Sequence, residues 1–127
     1  MTARSATAFF VFSALVLTMV GTLAARHALT PTDHLTFKAP VALPGVTLAP
    51  GEYSFQVNYV DAGNVVQVRQ RASHRLVFQG LTMRVQRPRE RKAGSVVLGE
   101  RRVGEAAPVL VWYPTTTGLG FEFVYEP

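Results

Sequence analysis

Apolar and polar residues alternate along most of the chain beyond residue 34, as they do in β-strands, whose successive side chains point to opposite faces. The clearest run is Glu52 to Val60, in which polar residues separate the apolar positions Tyr53, Phe55, Val57 and Tyr59. This run predicts a half-buried antiparallel strand. Beyond the N-terminus, no segment shows the 3.6-residue repeat of an amphipathic helix.

Similar alternation predicts further strands, separated by turns rich in Gly, Pro and Asn. The expected strands run from His34 or Leu35 to Pro40, Val46 to Leu48, Val65 to Arg71, Arg75 to Arg87, Ser95 to Arg102, Val109 to Pro114 and Phe121 to Tyr125. The last two strands form a hairpin around a Thr/Gly turn. Turns at this spacing are typical of a β-sandwich or a barrel.

Two Pro-Gly pairs, Pro44-Gly45 and Pro50-Gly51, predict type II turns. Proline fixes φ at the second position of such a turn, and glycine supplies the positive φ that the third position requires. The three residues between the turns, Val46 to Leu48, are expected to form a short strand.

The run from Arg75 to Arg87 contains a change of phase. Leu76 and Phe78 are in step, whereas Leu81 and Met83 are shifted by one position. A β-bulge at Gly80 would absorb the shift, since an extra residue reverses the inward and outward faces beyond it. The alternative is that the strand crosses from one sheet to the other at this point.

The composition fits one all-β domain. A chain of 127 residues with 48% hydrophobic content has room for one core. The absence of cysteine excludes disulfides, a lipid-modified N-terminal Cys, zinc-thiolate sites and thiol catalysis. We therefore expect an antiparallel β-sandwich or barrel of roughly eight strands, stabilised by its hydrophobic core.

The N-terminus has the three parts of a secretory signal peptide: a short segment with Arg4, an apolar run from Phe9 to Val20, and small residues after it. Thr22 and Ala24 predict cleavage after Ala24. The expected organisation is a signal peptide at 1–24, a flexible lead-in at 25–33 and a β-domain at 34–127. The alternative is an uncleaved membrane anchor, because Thr7 to Ala25 carries no charge and approaches the ~20 residues that span a bilayer.

Two aromatic segments share a motif: a Pro-Gly turn before a Tyr-x-Phe strand, and an aromatic-Tyr-Pro turn before a terminal Gly-x-Glu-Phe-Val-Tyr strand. The matching residues are Pro50, Gly51, Tyr53, Phe55, Trp112, Tyr113, Pro114, Gly120, Glu122, Phe123, Val124 and Tyr125, with Gly99 and Glu100 ending the penultimate core strand. This motif resembles a group of small secreted bacterial β-proteins. The resemblance implies a β-sandwich or barrel with no assigned activity. In that group a His often stands where this chain has Phe121.

Histidines and acidic residues lack the spacing of a metal or catalytic site. The histidines form no His-x-His or His-x3-His pair; they are His27, His34 and His74. Ser73 precedes His74, but no Gly-x-Ser-x-Gly elbow is present. Acid–base chemistry by Glu100 and Glu122 would require neighbouring strands and a pocket that gathers them with a histidine. We expect a non-catalytic protein without metal or cofactor.

A basic cluster is the strongest polar signal. It comprises Arg84, Arg87, Arg89, Arg91 and Lys92, with Glu90 as the acid within it. Arginine forks suit phosphate, sulfate and carboxylate groups. Export and the lack of an interleaved aromatic residue argue against nucleic acid. A solvated loop between two strands is the alternative explanation of the same cluster.

The aromatic residues of the C-terminal hairpin have two interpretations. If exposed, Trp112 and Tyr113 would stack on sugars or form an interface. If buried, they belong to the core, as the regular alternation of Phe121, Phe123 and Tyr125 favours. The turn beside them is a candidate ligand loop that contains Thr115, Thr116 and Thr117.

These observations predict a secreted or periplasmic β-domain that acts as a non-catalytic binding or cell-envelope accessory protein. The expected partner is an anionic envelope component or another envelope protein, and the membrane is contacted only through the N-terminal segment. The alternative is a subunit of an envelope assembly, joined through sheet edges or the aromatic hairpin.

Overall fold

The computed structural model describes residues 30–60 and 63–127, and these residues form an all-β fold of nine strands without a helix. The strands are β1 (Thr32–Phe37), β2 (Val41–Leu43), β3 (Val46–Leu48), β4 (Gly51–Val60), β5 (Gly63–Gln70), β6 (Leu76–Gln86), β7 (Ser95–Leu98), β8 (Ala107–Tyr113) and β9 (Leu119–Phe123). The expected all-β class is confirmed. The predicted signal segment and residues 25–29 of the lead-in lie outside the described residues.

The strands form one mixed sheet in the order β1-β4-β5-β6-β9-β8-β2-β3, and β7 pairs with β8. The pairs are antiparallel apart from β2 with β8, which is parallel through Val41 with Ala107 and Ala42 with Pro108. The sheet is not closed: β1, β3 and β7 each have one edge without a partner strand among the described residues.

The core is built from the alternating faces of these strands. It contains Phe37, Val41, Leu43, Leu48, Tyr53, Phe55, Val57, Val66, Val68, Val109, Trp112, Phe121 and Phe123. Phe55 occupies a central place, because its ring packs edge-on against Trp112 at 5.6 Å and against Phe123 at 6.4 Å between centroids. The aromatic alternation predicted for β4 is thus the inward face of the sheet, apart from Tyr59, which is exposed.

The parallel pair is held by Tyr125. Its hydroxyl lies 2.6 Å from the carbonyl oxygen of Val109 and 3.0 Å from that of Ala42, so one side chain links β8 to β2. Burial raises the pKa of Tyr125 from 10.0 to about 12. The neutral phenol is therefore the form that the fold favours.

Several boundaries differ from the sequence prediction. β1 begins at Thr32, so Thr32 and Asp33 are strand residues that we had expected in the lead-in. Val41–Leu43 forms an unpredicted strand, because its pairing with β8 is distant in sequence. Gly45 has the positive φ of the expected turn, at 77°. Gly51 also has a positive φ, 156°, but this value is far from the ~80° that the third position of a type II turn requires, and Gly51 pairs with Phe37 at the start of β4.

The predicted bulge at Gly80 is wrong. Gly80 pairs regularly with Val66, and the irregularity lies earlier, where Phe78 pairs with Val68 and Leu76 with Arg69. Leu81 and Met83 are 67% and 60% exposed, so the apolar phase of this segment does not follow the core. The alternative, a crossing from one sheet to another at Gly80, is wrong as well: residues 76–82 pair with β5 and residues 82–86 with β9, and these three strands belong to one sheet.

Candidate functional site

The arginine loop, residues 87–94 between β6 and β7, is closed by its own hydrogen bonds. Arg87 Nη1 donates to the carbonyl oxygen of Arg91 at 2.9 Å, and the N–H of Arg91 donates to the carbonyl oxygen of Pro88 at 3.1 Å. The hydroxyl of Ser95 donates to the carbonyl oxygen of Lys92. These contacts fix the backbone from which the neighbouring cationic side chains project.

Three of the five predicted basic residues are available to a partner. Arg89, Arg91 and Lys92 are exposed, and within residues 30–60 and 63–127 the ion pair formed is Arg71 with Glu52, at 3.5 Å. Arg84 differs, because its Nη2 donates to the side-chain oxygen of Asn64 at 2.9 Å. Arg87 is committed to closing the loop, and its buried Nε has no hydrogen-bond partner.

The C-terminal hairpin places its large aromatic residues inside. Trp112 is 0% and Tyr113 6% exposed, so neither presents a stacking surface. The ring of Tyr113 lies over Gly120: a Cβ added there would stand 2.5 Å from Cε1 of Tyr113. Of the candidate ligand loop, Thr115 and Thr116 are exposed, whereas the Thr117 hydroxyl accepts a hydrogen bond from the N–H of Leu119 at 3.2 Å.

Asp33 is the residue that the sequence interpretation missed. It is 8% exposed, and its Oδ2 accepts hydrogen bonds from Trp112 Nε1 and from the N–H of Thr115, each at 3.0 Å. The carboxylate therefore ties the start of β1 to the end of β8. Its place in the alternation could have predicted its burial, because Asp33 lies two and four positions before the inward residues Leu35 and Phe37.

The remaining titratable candidates do not assemble. His34 Nδ1 lies 2.9 Å from the hydroxyl of Ser54 at an exposed site, and the Ser73 hydroxyl donates to the side-chain oxygen of Gln70. Glu100 and Glu122 are exposed. Glu122 lies on β9 and Glu100 follows β7, and β8 lies between these two strands. The described part of the chain contains no group of three His, Asp or Glu side chains able to hold a metal ion. His27 lies outside it.

A second surface feature is the β1–β7 cleft, which has a volume of about 430 Å³. It is lined by residues 35–41 on one side, by Gly94–Val96 and Leu98 on the other, and by Arg101 and Ala107. Its walls include β1 and β7, and neither of these strands has a second partner strand among the described residues. The cleft was not predicted from the sequence, because β1 and β7 approach each other only through the curvature of the whole sheet.

Among the residues that the structure describes, no helix is long and apolar enough to cross a membrane. Comparison with protein-family models, curated proteins and solved structures finds no match to this chain.

Proposed function

We propose that the protein is an exported, non-catalytic binding domain that holds an anionic component of the cell envelope through Arg89, Arg91 and Lys92. The observation that carries the proposal is the ordered loop with three exposed cations and no acidic partner in the described structure. A surface that existed only for solubility would not require a loop closed by the Arg87–Arg91 hydrogen bond.

The chemistry of the loop favours an anion with several oxygens. Guanidinium groups donate paired hydrogen bonds to phosphate, sulfate or carboxylate, and the lysine adds a compact positive charge. A fixed backbone lowers the conformational entropy lost on binding. The net charge of +5 would also attract such a partner from a distance, more strongly at low salt. The N-terminal signal pattern supports an envelope or extracellular location.

The test is binding of the full chain to anionic phospholipid vesicles and, separately, to an acidic polysaccharide. Replacing Arg89, Arg91 and Lys92 together by Gln should weaken binding to the anionic source that the protein uses by about 100-fold, at ~1 kcal/mol for each cation. Raising the salt concentration should weaken binding by the wild-type chain. The difference in affinity between the wild type and the triple variant should therefore become smaller at high salt.

A charge-matched control separates a specific loop from net charge. Replacing Arg71, Arg75 and Arg102 by Gln removes the same charge from exposed sites elsewhere. The control variant should retain most of the binding. Equal losses in both triple variants would show that only overall charge matters, and no binding to either anionic probe by the wild-type chain would refute the proposal.

The second candidate function is a subunit of an envelope assembly joined through sheet edges. It is favoured by β1 and β7, which each have one edge without a partner strand among the described residues. The aromatic hairpin is a poorer joining surface, because Trp112 and Tyr113 are buried. In either function an uncleaved N-terminal segment would serve as the membrane anchor, and intact-mass measurement of the expressed protein distinguishes it from a chain cleaved after Ala24.

A further inference from the structure

The β1–β7 cleft is held at both of its ends. At one end Asp33 is bonded to Trp112 and Thr115, and the N–H of Gly94 donates to the carbonyl oxygen of Tyr113. At the other end the chain leaves β1 and enters β2, which pairs with the start of β8. The width of the cleft is therefore set by contacts on both sides of it.

The two walls run in the same direction. β1 begins near the Asp33 contact and is followed by Lys38 and Pro40, which line the cleft. β7 begins just after Gly94, beside the same end of β8, and is followed by Arg101. An extended segment laid between the walls in the opposite direction would be antiparallel to both, which is the commoner and slightly more stable arrangement of paired strands.

The backbone of β1 presents hydrogen-bonding groups to this cleft. The N–H of Val57 donates to the carbonyl oxygen of Pro31, which makes residues 31 and 57 a hydrogen-bonded pair of the antiparallel ladder. Such pairs alternate with residues whose N–H and C=O point to the opposite edge. Thr36 is one of the latter residues, and it lines the cleft. Its N–H and C=O are accordingly positioned to pair with a further strand.

The side chains of the lining define the chemistry of an occupant. Leu35, Val96 and Leu98 make the walls apolar, whereas Lys38 and Arg101 supply positive charge where the two strands end. The described lining contains no Asp or Glu. This combination matches a strand with apolar side chains on one face and an acidic residue at the end that reaches the two cations.

We propose that the β1–β7 cleft binds an extended segment of another envelope protein by strand addition. The segment runs antiparallel to β1, pairs with the backbone of Thr36, alternates apolar with polar residues and carries Asp or Glu near its N-terminal end. The inference rests on the second candidate function above and identifies its joining surface. The arginine loop shares only Gly94 with the lining of the cleft, so variants at Arg89, Arg91 and Lys92 replace no residue that lines it.

The probe is a library of octapeptides selected against the full chain, followed by binding measurements on synthetic versions of the enriched sequences. The enriched peptides should alternate apolar and polar residues and carry an acidic residue in their first half. Bound peptide should slow hydrogen exchange of the Thr36 amide by about tenfold or more, because a solvent-exposed N–H becomes part of a ladder.

Thr36→Pro removes the N–H through which β1 would pair with the segment, and proline is tolerated where the N–H of an edge strand faces outward. This variant should bind the selected peptides about tenfold more weakly, whereas Thr36→Val, which keeps the N–H, should bind normally. Replacing Lys38 and Arg101 by Gln should also weaken binding about tenfold, and replacing Arg75 and Arg102 should not. Thermal unfolding of each variant confirms that the fold is retained.

Four results would overturn the proposal. The first is that the library yields no binder. The second is that the selected peptides lack alternation and bind equally well to Thr36→Pro. The third is that decanoate displaces the peptides and binds equally well to Thr36→Pro, which would indicate an acyl ligand. The fourth is that the chain forms a dimer that Thr36→Pro abolishes, which would make a second copy the occupant.

The arginine-loop variant distinguishes the two proposals. If it loses anion binding and retains peptide binding, the two functions are separate.

Discussion

The C-terminal hairpin and the arginine loop follow opposite rules of burial, although each concentrates one kind of side chain. The hairpin, β8 and β9, places Trp112, Phe121 and Phe123 in the core. The arginine loop places Arg89, Arg91 and Lys92 in solvent and fixes its backbone through Arg87. The hairpin is thus defined by long-range packing. The loop combines short-range hydrogen bonds with two bonds to the hairpin, from the N–H of Arg87 to the carbonyl oxygen of Gly118 at 3.0 Å and from the N–H of Gly94 to that of Tyr113 at 2.6 Å.

This difference shows what a cluster of one residue type can reveal. Moving an aromatic side chain out of water lowers the free energy of the protein, whereas moving a charged guanidinium out of water raises it unless a partner is provided. A dense aromatic run on a strand is therefore better evidence for a core than for a binding surface. A basic loop whose cations form no ion pair within the described residues retains its capacity to bind anions. The proposed binding sites are therefore the arginine loop and the β1–β7 cleft, and not the aromatic hairpin.

The largest effect on stability is expected for Trp112→Ala. Trp112 is fully buried and packs against Phe55 and Phe121. Removing it should lower the free energy of unfolding by about 3–5 kcal/mol, through lost burial and the cavity left behind. Urea denaturation measures the change. A loss below about 1 kcal/mol, typical of a surface residue, would contradict the assignment of the hairpin to the core.

Asp33 provides the control that separates packing from hydrogen bonding. Trp112→Phe keeps most of the ring packing and removes the Nε1 donor, so it should cost less than Trp112→Ala. Combined with Asp33→Ala in a double-mutant cycle, it should reveal a coupling of about 1–3 kcal/mol between Trp112 and Asp33. Additive losses would mean that the 3.0 Å contact does not contribute to stability.

Local alternation was sufficient to predict the strand class and most of the inward face. Tyr53, Phe55 and Val57 were assigned to one buried face, and the structure buries all three. The aromatic hairpin was likewise expected to close the core. These predictions succeed because a strand with one buried face must repeat with a period of two.

The remaining features depend on contacts between distant parts of the chain. Asp33 looks like a polar lead-in residue until Trp112 is brought beside it, 79 positions later. β2 has three residues, too few for alternation to identify a strand without its pairing to β8. Leu81 and Met83 are apolar yet face outward, so their phase misplaced the bulge. For the candidate sites, the sequence identified the basic cluster but not which cations stay unpaired, nor the cleft formed by the two edges.

A smaller effect is expected at Tyr125, which joins the hairpin side of the sheet to β2. Tyr125→Phe removes the hydroxyl that contacts the carbonyl oxygens of Ala42 and Val109, and it should lower the free energy of unfolding by about 1–2 kcal/mol at neutral pH. The measurement is urea denaturation of both proteins at pH 7.

The same residue predicts a dependence on alkaline pH. The pKa of Tyr125 is 10.0 when unfolded and about 12 when folded, so its contribution is complete below pH 10 and is lost as pH rises towards 12. The wild-type protein should lose stability over this window more steeply than Tyr125→Phe. Parallel stability curves for the two proteins between pH 10 and 12 would contradict the link between burial and the raised pKa.

The smallest effect is expected in the arginine loop. Replacing Arg89, Arg91 and Lys92 by Gln should change the free energy of unfolding by less than about 0.5 kcal/mol, because exposed side chains without partners contribute little to stability. At low salt the change should be slightly stabilising, since three like charges are removed from a chain whose net charge is +5. Arg87→Gln differs from this group because it loses the 2.9 Å bond to the carbonyl oxygen of Arg91, and it should cost about 1 kcal/mol. A triple variant less stable than Arg87→Gln would mean that the exposed cations support the fold, and the contrast between a structural hairpin and a binding loop would then fail.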